Sequence, residues 1–213
     1  MPTIVFTPLA EASALVAALP RPIVHIKGYG SGMLLEGAPE PPAGSYSFDL
    51  PAERAEVERA AADAIAAVTR ELGARTIAWD GDLYGADSFT ALVPRLAQLD
   101  PSLTLCAFLH EFKRDKFRAS WAAAPMALDV AAYVVPDPAD PEGDAKYVQL
   151  GVDALRATGA SGAVCLGGGG VVALEVAEER KLTPPVEFTF FPARRWRERM
   201  GSAYMDSSTV HTR

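Results

Sequence analysis

Short runs rich in β-branched residues alternate with stretches of helical periodicity along nearly the whole chain. That alternation restricts the fold more than any other feature. Six apolar runs read as strands, at 22–27, 76–79, 103–109, 130–135, 163–166 and 186–191. Helical patterns separate them. The strongest covers 51–72, where Val57, Ala61, Ala64, Ile65, Val68 and Leu72 recur at steps of three and four. Asp49 is placed to cap it, Pro51 suits its first turn and Gly73 its end. Others follow Ser88 (with Pro94 as a kink) and cover 112–121, 147–158, 171–181 and 194–200. Residues 3–6 are a candidate edge strand and 11–19 a short helix.

Strands that read as unbroken apolar runs are those covered on both faces. The expected fold is therefore α/β: a three-layer α/β/α, Rossmann-like arrangement with a mostly parallel sheet of about six strands. At 213 residues the chain suits a single domain, 1–213. Two appendages are expected on it, a Pro/Gly-rich flap at 33–50 and a loose tail at 201–213. With 49% hydrophobic and 22% charged residues, the composition excludes disorder throughout. No apolar run is long enough to span a bilayer. A net charge of −7 argues against nucleic acid as the general partner. The first ten residues lack a basic stretch before an apolar one, which points to a cytoplasmic location. Cys106 and Cys165 each sit inside an apolar run and are expected to be buried thiols, and no Cys/His spacing suits structural zinc.

In open α/β sheets ligands bind beyond the carboxyl ends of the strands, so the residues just after each run are informative. Four of them carry polar or glycine-rich chemistry. After the fifth stand Gly167, Gly168, Gly169 and Gly170, then a helix. Glycines there let backbone N–H groups approach an anion, and the helix dipole adds to the attraction. The plainer reading is a tight strand-to-helix turn. After the first stand Gly28, Gly30, Ser31 and Gly32, a second phosphate or sugar loop or else a hinge to the flap. Met33 breaks the dinucleotide-binding pattern of glycines, so a Rossmann-type NAD site is weakly supported.

Asp80 and Asp82 bracket Gly81 after the second run. They suit Mg²⁺ ligation, a ribose diol or attack on phosphorus by Asp80, and equally a capped turn. His110 and Glu111 follow the third run, with His110 the best general-base candidate of three histidines. His25 alternates within a strand and reads as a core or face residue, and His211 lies in the tail. The cations Lys113, Arg114, Lys116 and Arg118 read first as a solvated helix face, as do those of 194–199 around Trp196.

The stretch 163–175, AVCLGGGGVVALE, resembles the glycine-rich turn of the lonely-guy-type, or SLOG, Rossmann-like superfamily of lysine-decarboxylase-like nucleotide hydrolases. In that group a strand meets a Gly-Gly-x-Gly-Thr turn with an acid a few residues into the helix. The resemblance implies phosphate binding by Gly167–Gly170 and a catalytic role for Glu175. Val171 stands where Thr is expected and Glu175 about one residue late, which sets N-glycosidic hydrolysis apart from phosphate binding. A second stretch, 76–82 (TIAWDGD), is similar to the strand-Asp-x-Asp start of haloacid-dehalogenase phosphatases. That group also uses an acidic pair after a later strand, where this chain has glycines.

The leading expectation is a nucleotide or other phosphorylated small molecule bound at the sheet rim. Asp80, Asp82, His110, Glu111 and Glu175 would carry any hydrolysis or group transfer, and Mg²⁺ is the one cofactor considered. A non-catalytic ligand sensor or assembly subunit of the same fold is the competing class, an Asp80-dependent phosphatase the third. A homodimer is the assembly considered.

Overall fold

The computed structural model describes residues 4–28, 59, 62–63, 65–79, 93, 100–123, 130–136, 145–166 and 170–190. Seven strands form one sheet: β1 (Ile4–Pro8), β2 (Ile23–Gly28), β3 (Thr76–Trp79), β4 (Thr104–His110), β5 (Val130–Val135), β6 (Gly162–Leu166) and β7 (Glu187–Phe190). Their order is β1-β5-β4-β3-β2-β6-β7, and every pairing is parallel. The α/β, Rossmann-like architecture expected from the alternation is the one observed. The candidate edge strand is real and makes the seventh strand, because β1 pairs with β5 from Ile4↔Val130 to Pro8↔Val134.

Four α-helices are described: α1 (Ser13–Ala17), α2 (Arg114–Ala123), α3 (Ala145–Thr158) and α4 (Gly170–Glu179). Residues 65–71 are helical too. This last segment stops as its sequence suggests. Gly73 has φ +60°, its N–H donates to the Arg70 carbonyl, and the Ala74 N–H donates to that of Thr69. That pair of bonds is a Schellman cap, whose left-handed residue favours glycine.

The register sorts the strand residues onto two faces. One face carries Ala78, Cys106, Phe108, Tyr133 and Ala163, packed against Ala12, Val16 and Leu19 around α1 and Leu150, Ala154 and Leu155 of α3. The other carries Ile26, Trp79 and Ala107 in one row. There Phe117 of α2 meets the rings of Trp79 and Phe6, and Leu72 crowds Gly162. Cys106 and Cys165 are buried free thiols, as expected, and burial pushes Cys165 up to about 12. No helix among the described residues is long and apolar enough to cross a membrane. The flap, the tail and the helical patterns after Ser88 and at 194–200 lie outside the described residues, apart from Val93.

Candidate functional site

The strand order reverses beside β2. From β2 the chain builds β3, β4 and β5 to one side, then returns to lay β6 and β7 on the other. In an open parallel sheet this reversal leaves a crevice beyond the carboxyl ends of the two strands that flank it. Those strands are β2 and β6, and their last residues, Gly28 and Leu166, are register partners. Gly28 opens the first glycine run, and Gly170, the last of the four consecutive glycines, is the first residue of α4. The two runs therefore start from neighbouring strand ends. Gly30, Ser31, Gly32, Gly167, Gly168 and Gly169 themselves lie outside the described residues, as do Asp80 and Asp82, which follow β3.

Beneath the crevice lies a charge cluster. Lys27, one residue before the end of β2, is 7% exposed. Its Nζ donates a 3.3 Å hydrogen bond to Glu175 Oε2 and stands 2.5 Å from Glu179 Oε1. The second contact is an ion pair without good hydrogen-bond alignment, and Glu179 Oε2 is buried with no hydrogen-bond partner. Both acids belong to α4, four residues apart and so on one face. Burial pulls the Lys27 ammonium downward, but the two carboxylates outweigh it and the net direction is up. Burial raises Glu175 against the pull of Lys27. It pushes Glu179 up to about 7, again opposed by Lys27. With all three groups ionised the cluster carries one negative charge, and one proton shared by the acids neutralises it.

The third wall of the cluster is α3. A Cβ on Gly151 would stand 2.9 Å from Glu175 Cδ and 3.1 Å from Lys27 Nζ. Glycine in a helix interior costs about 0.5–1 kcal/mol relative to Ala, and here it leaves the space that the cluster occupies. Further along α3, Thr158 Oγ1 donates to the Ala154 carbonyl and lies 3.3 Å from His25 Nε2. His25 is buried against Phe108, and burial, then Lys27, hold its pKa well below the ordinary value. Of the two places the strand alternation allows, core or face, it takes the core.

His110 and Glu111 take up another part of the rim. His110 is the last residue of β4 rather than the one after it, because pairing with β5 continues to His110↔Val135. Its ring is 1% exposed, stacked on Phe112 at 5.5 Å and met edge-on by Tyr147 of α3 at 5.1 Å. Glu111 turns outward to Arg114 at 2.6 Å. The structure thus brings Gly28, Gly170 and Glu175 to the crevice and sets His110 and Glu111 two strands away. Among the described residues no group of three or more His, Cys, Asp or Glu is arranged to hold a metal ion.

Sequence reasoning passed over Lys27, Glu179 and Gly151. Each carried a signal: a lysine closing an apolar run, acids spaced four apart in an apolar helix, and a glycine in mid-helix. In α4 Leu174 is 52% exposed while Glu179 is wholly buried beside Val176. Comparison of the chain with protein-family models and with curated proteins finds no match.

Proposed function

We propose that this chain binds a nucleotide or another phosphorylated small molecule at the carboxyl rim of its sheet. One observation carries the reading: the Gly28↔Leu166 pairing starts both glycine runs from adjacent strand ends at the reversal of strand order. In this reading Gly167–Gly170 offer main-chain N–H groups to the phosphate, helped by the α4 dipole. Gly28, Gly30, Ser31 and Gly32 form the facing wall. Asp80 and Asp82 hold a ribose diol or Mg²⁺, and hydrolysis or group transfer draws its acid–base group from Glu175, His110 or Glu111.

A specific observation favours a second reading, a ligand sensor without turnover. Glu175, the acid nearest the crevice, is held in a buried ion pair with Lys27 rather than presented to a substrate. The buried free thiols fit a reducing, cytoplasmic setting for either reading. A homodimer belongs to both and is checked by light scattering.

The test is a thermal-shift and calorimetric titration of the full chain with inorganic phosphate, ribose 5-phosphate and AMP. A ligand at a hundred times its Kd stabilises by about 2.7 kcal/mol. Gly168→Asp is expected to abolish that gain, because it puts a carboxylate where an anion is to sit. Product formation separates the enzyme from the sensor. Absence of any shift at millimolar ligand overturns the reading.

A further inference from the structure

The charge cluster holds one carboxylate more than Lys27 can neutralise. Glu179 is wholly buried, and its Oε2 has no hydrogen-bond partner. A surplus charge kept out of water is costly, and either a proton or a return to water relieves it. Glu179 lies on the inward face of α4, so it reaches water only if the helix moves. Little apolar surface opposes that movement. Among the described side chains of α4, 174–179, Val176 is the one apolar group that is buried. Leu174 and Ala177 are exposed, and Glu178 pairs with Lys181 in solvent. This part of the helix is held inward by its ion pairs more than by apolar contact.

The groups around Glu179 leave the acids as the ones that change charge. Lys27 on β2 stays an ammonium, held so by both carboxylates. Cys165, its register partner on β6, stays a thiol because burial pushes it up to about 12, and Arg180 acts on that thiol. His25, two residues before Lys27 on the same face of β2, is kept neutral by burial. From α3 the cluster meets Gly151, which carries no charge. Burial raises Glu175 as well as Glu179, so both acids favour the proton.

We infer that α4 is a proton-operated latch: with one proton on Glu175 and Glu179 the helix stays docked against Lys27 and α3, and when that proton leaves, the helix opens locally while the rest of the sheet stays folded. The latch needs no ligand, so it goes beyond the binding reading and stands or falls apart from it. Its output is at the rim, because α4 begins at Gly170.

Native-state hydrogen exchange on the full chain tests this. Rates are corrected for the intrinsic effect of pH and followed at pH 6 and pH 8, with and without sub-denaturing urea. Amides of α4 are expected to exchange by a local opening, faster than those of β4 and little affected by the urea. That opening should become about tenfold more frequent from pH 6 to pH 8, the change set by a carboxyl that moves from about 7 when docked to 4.5 in water. Glu179→Gln leaves one acid for one lysine, so its α4 should stay closed and lose most of the response. Glu178→Gln removes a half-exposed acid from the same helix and should respond as the native chain does. Carboxyl carbon-13 NMR of the native chain should show a glutamate titrating near neutrality, which keeps the test decisive even where Glu179→Gln fails to fold. The latch is overturned if α4 exchanges only together with β4, if its opening ignores pH, if Glu179→Gln responds like the native chain, or if no glutamate titrates above pH 6.

Discussion

Lys27 is a cation that the fold takes out of water and repays with two carboxylates. Such clusters are costly to break from one side. Lys27→Met leaves Glu175 and Glu179 facing each other without a counter-charge, and removal of one partner of a buried pair costs about 3–5 kcal/mol. Urea unfolding near pH 8 should show that loss. The deficit should shrink in mild acid, where protons replace the lost ammonium. An unchanged midpoint at pH 8 would mean that the cluster is solvated. Tyr133 offers the opposite case. Its hydroxyl is buried with no hydrogen-bond partner, while its ring stacks on Phe108 at 5.3 Å. Tyr133→Phe keeps the stack and removes the unmet polar group, so stability should rise by about 1 kcal/mol. A loss of similar size in equilibrium unfolding would contradict the unpaired hydroxyl.

Among the elements, α3 spans the site. It meets His110 through Tyr147, the charge cluster at Gly151 and His25 through Thr158. In an ordinary helix interior Gly→Ala stabilises by about 0.5–1 kcal/mol. At Gly151 the new methyl would press on the Glu175 carboxyl and push it off Lys27. Gly151→Ala is therefore expected to destabilise by about 1–2 kcal/mol, within the usual cost of overpacking. In a Glu175→Ala background the closest obstacle is gone and only the flexible end of Lys27, 3.1 Å away, has to give, so the same substitution should become neutral to stabilising. A double-mutant cycle in urea reads this loss of the penalty, and additive effects would refute the contact. Helix α4 shows why patterning misleads locally. Glu175 and Glu179 turn inward to Lys27, while Glu178 pairs with Lys181 in solvent and Leu174 is exposed.

For the molecule as a whole, the cluster makes stability depend on pH. Glu179 holds its proton more tightly when folded, with its carboxyl pushed up to about 7 from an ordinary 4.5. Between those values the folded chain keeps a proton that the unfolded chain has released. Stability from this group is complete below pH 4.5 and falls as pH rises through 7, by about 3 kcal/mol in all. His25 acts in the other direction. Burial keeps it neutral, so its contribution is lost as pH drops below about 6.5. Comparison with Glu179→Gln isolates the carboxyl, because that variant keeps His25. The stability of the native chain relative to Glu179→Gln should decline by about 3 kcal/mol across the window, and parallel curves would exclude titration of Glu179 there.

Much of the fold was legible because periodicity is a local property. The alternation of strand and helix, the buried thiols and the Gly73 cap all follow from residue type and spacing. The sequence also marked the glycine runs, since unusual backbone freedom shows in the residue names. Other features depend on residues far apart in the chain. Lys27 and Glu175 are 148 positions apart. Neither residue predicts that the other will neutralise it, and an acid in an apolar helix reads as solvated until its partner is known. Strand order is of the same kind: nothing local says that β6 lies beside β2 rather than β5. Residue pattern by itself determined which elements form. Only the folded sheet decided which strand ends became neighbours, because pairing is fixed by how all the strands and helices pack together.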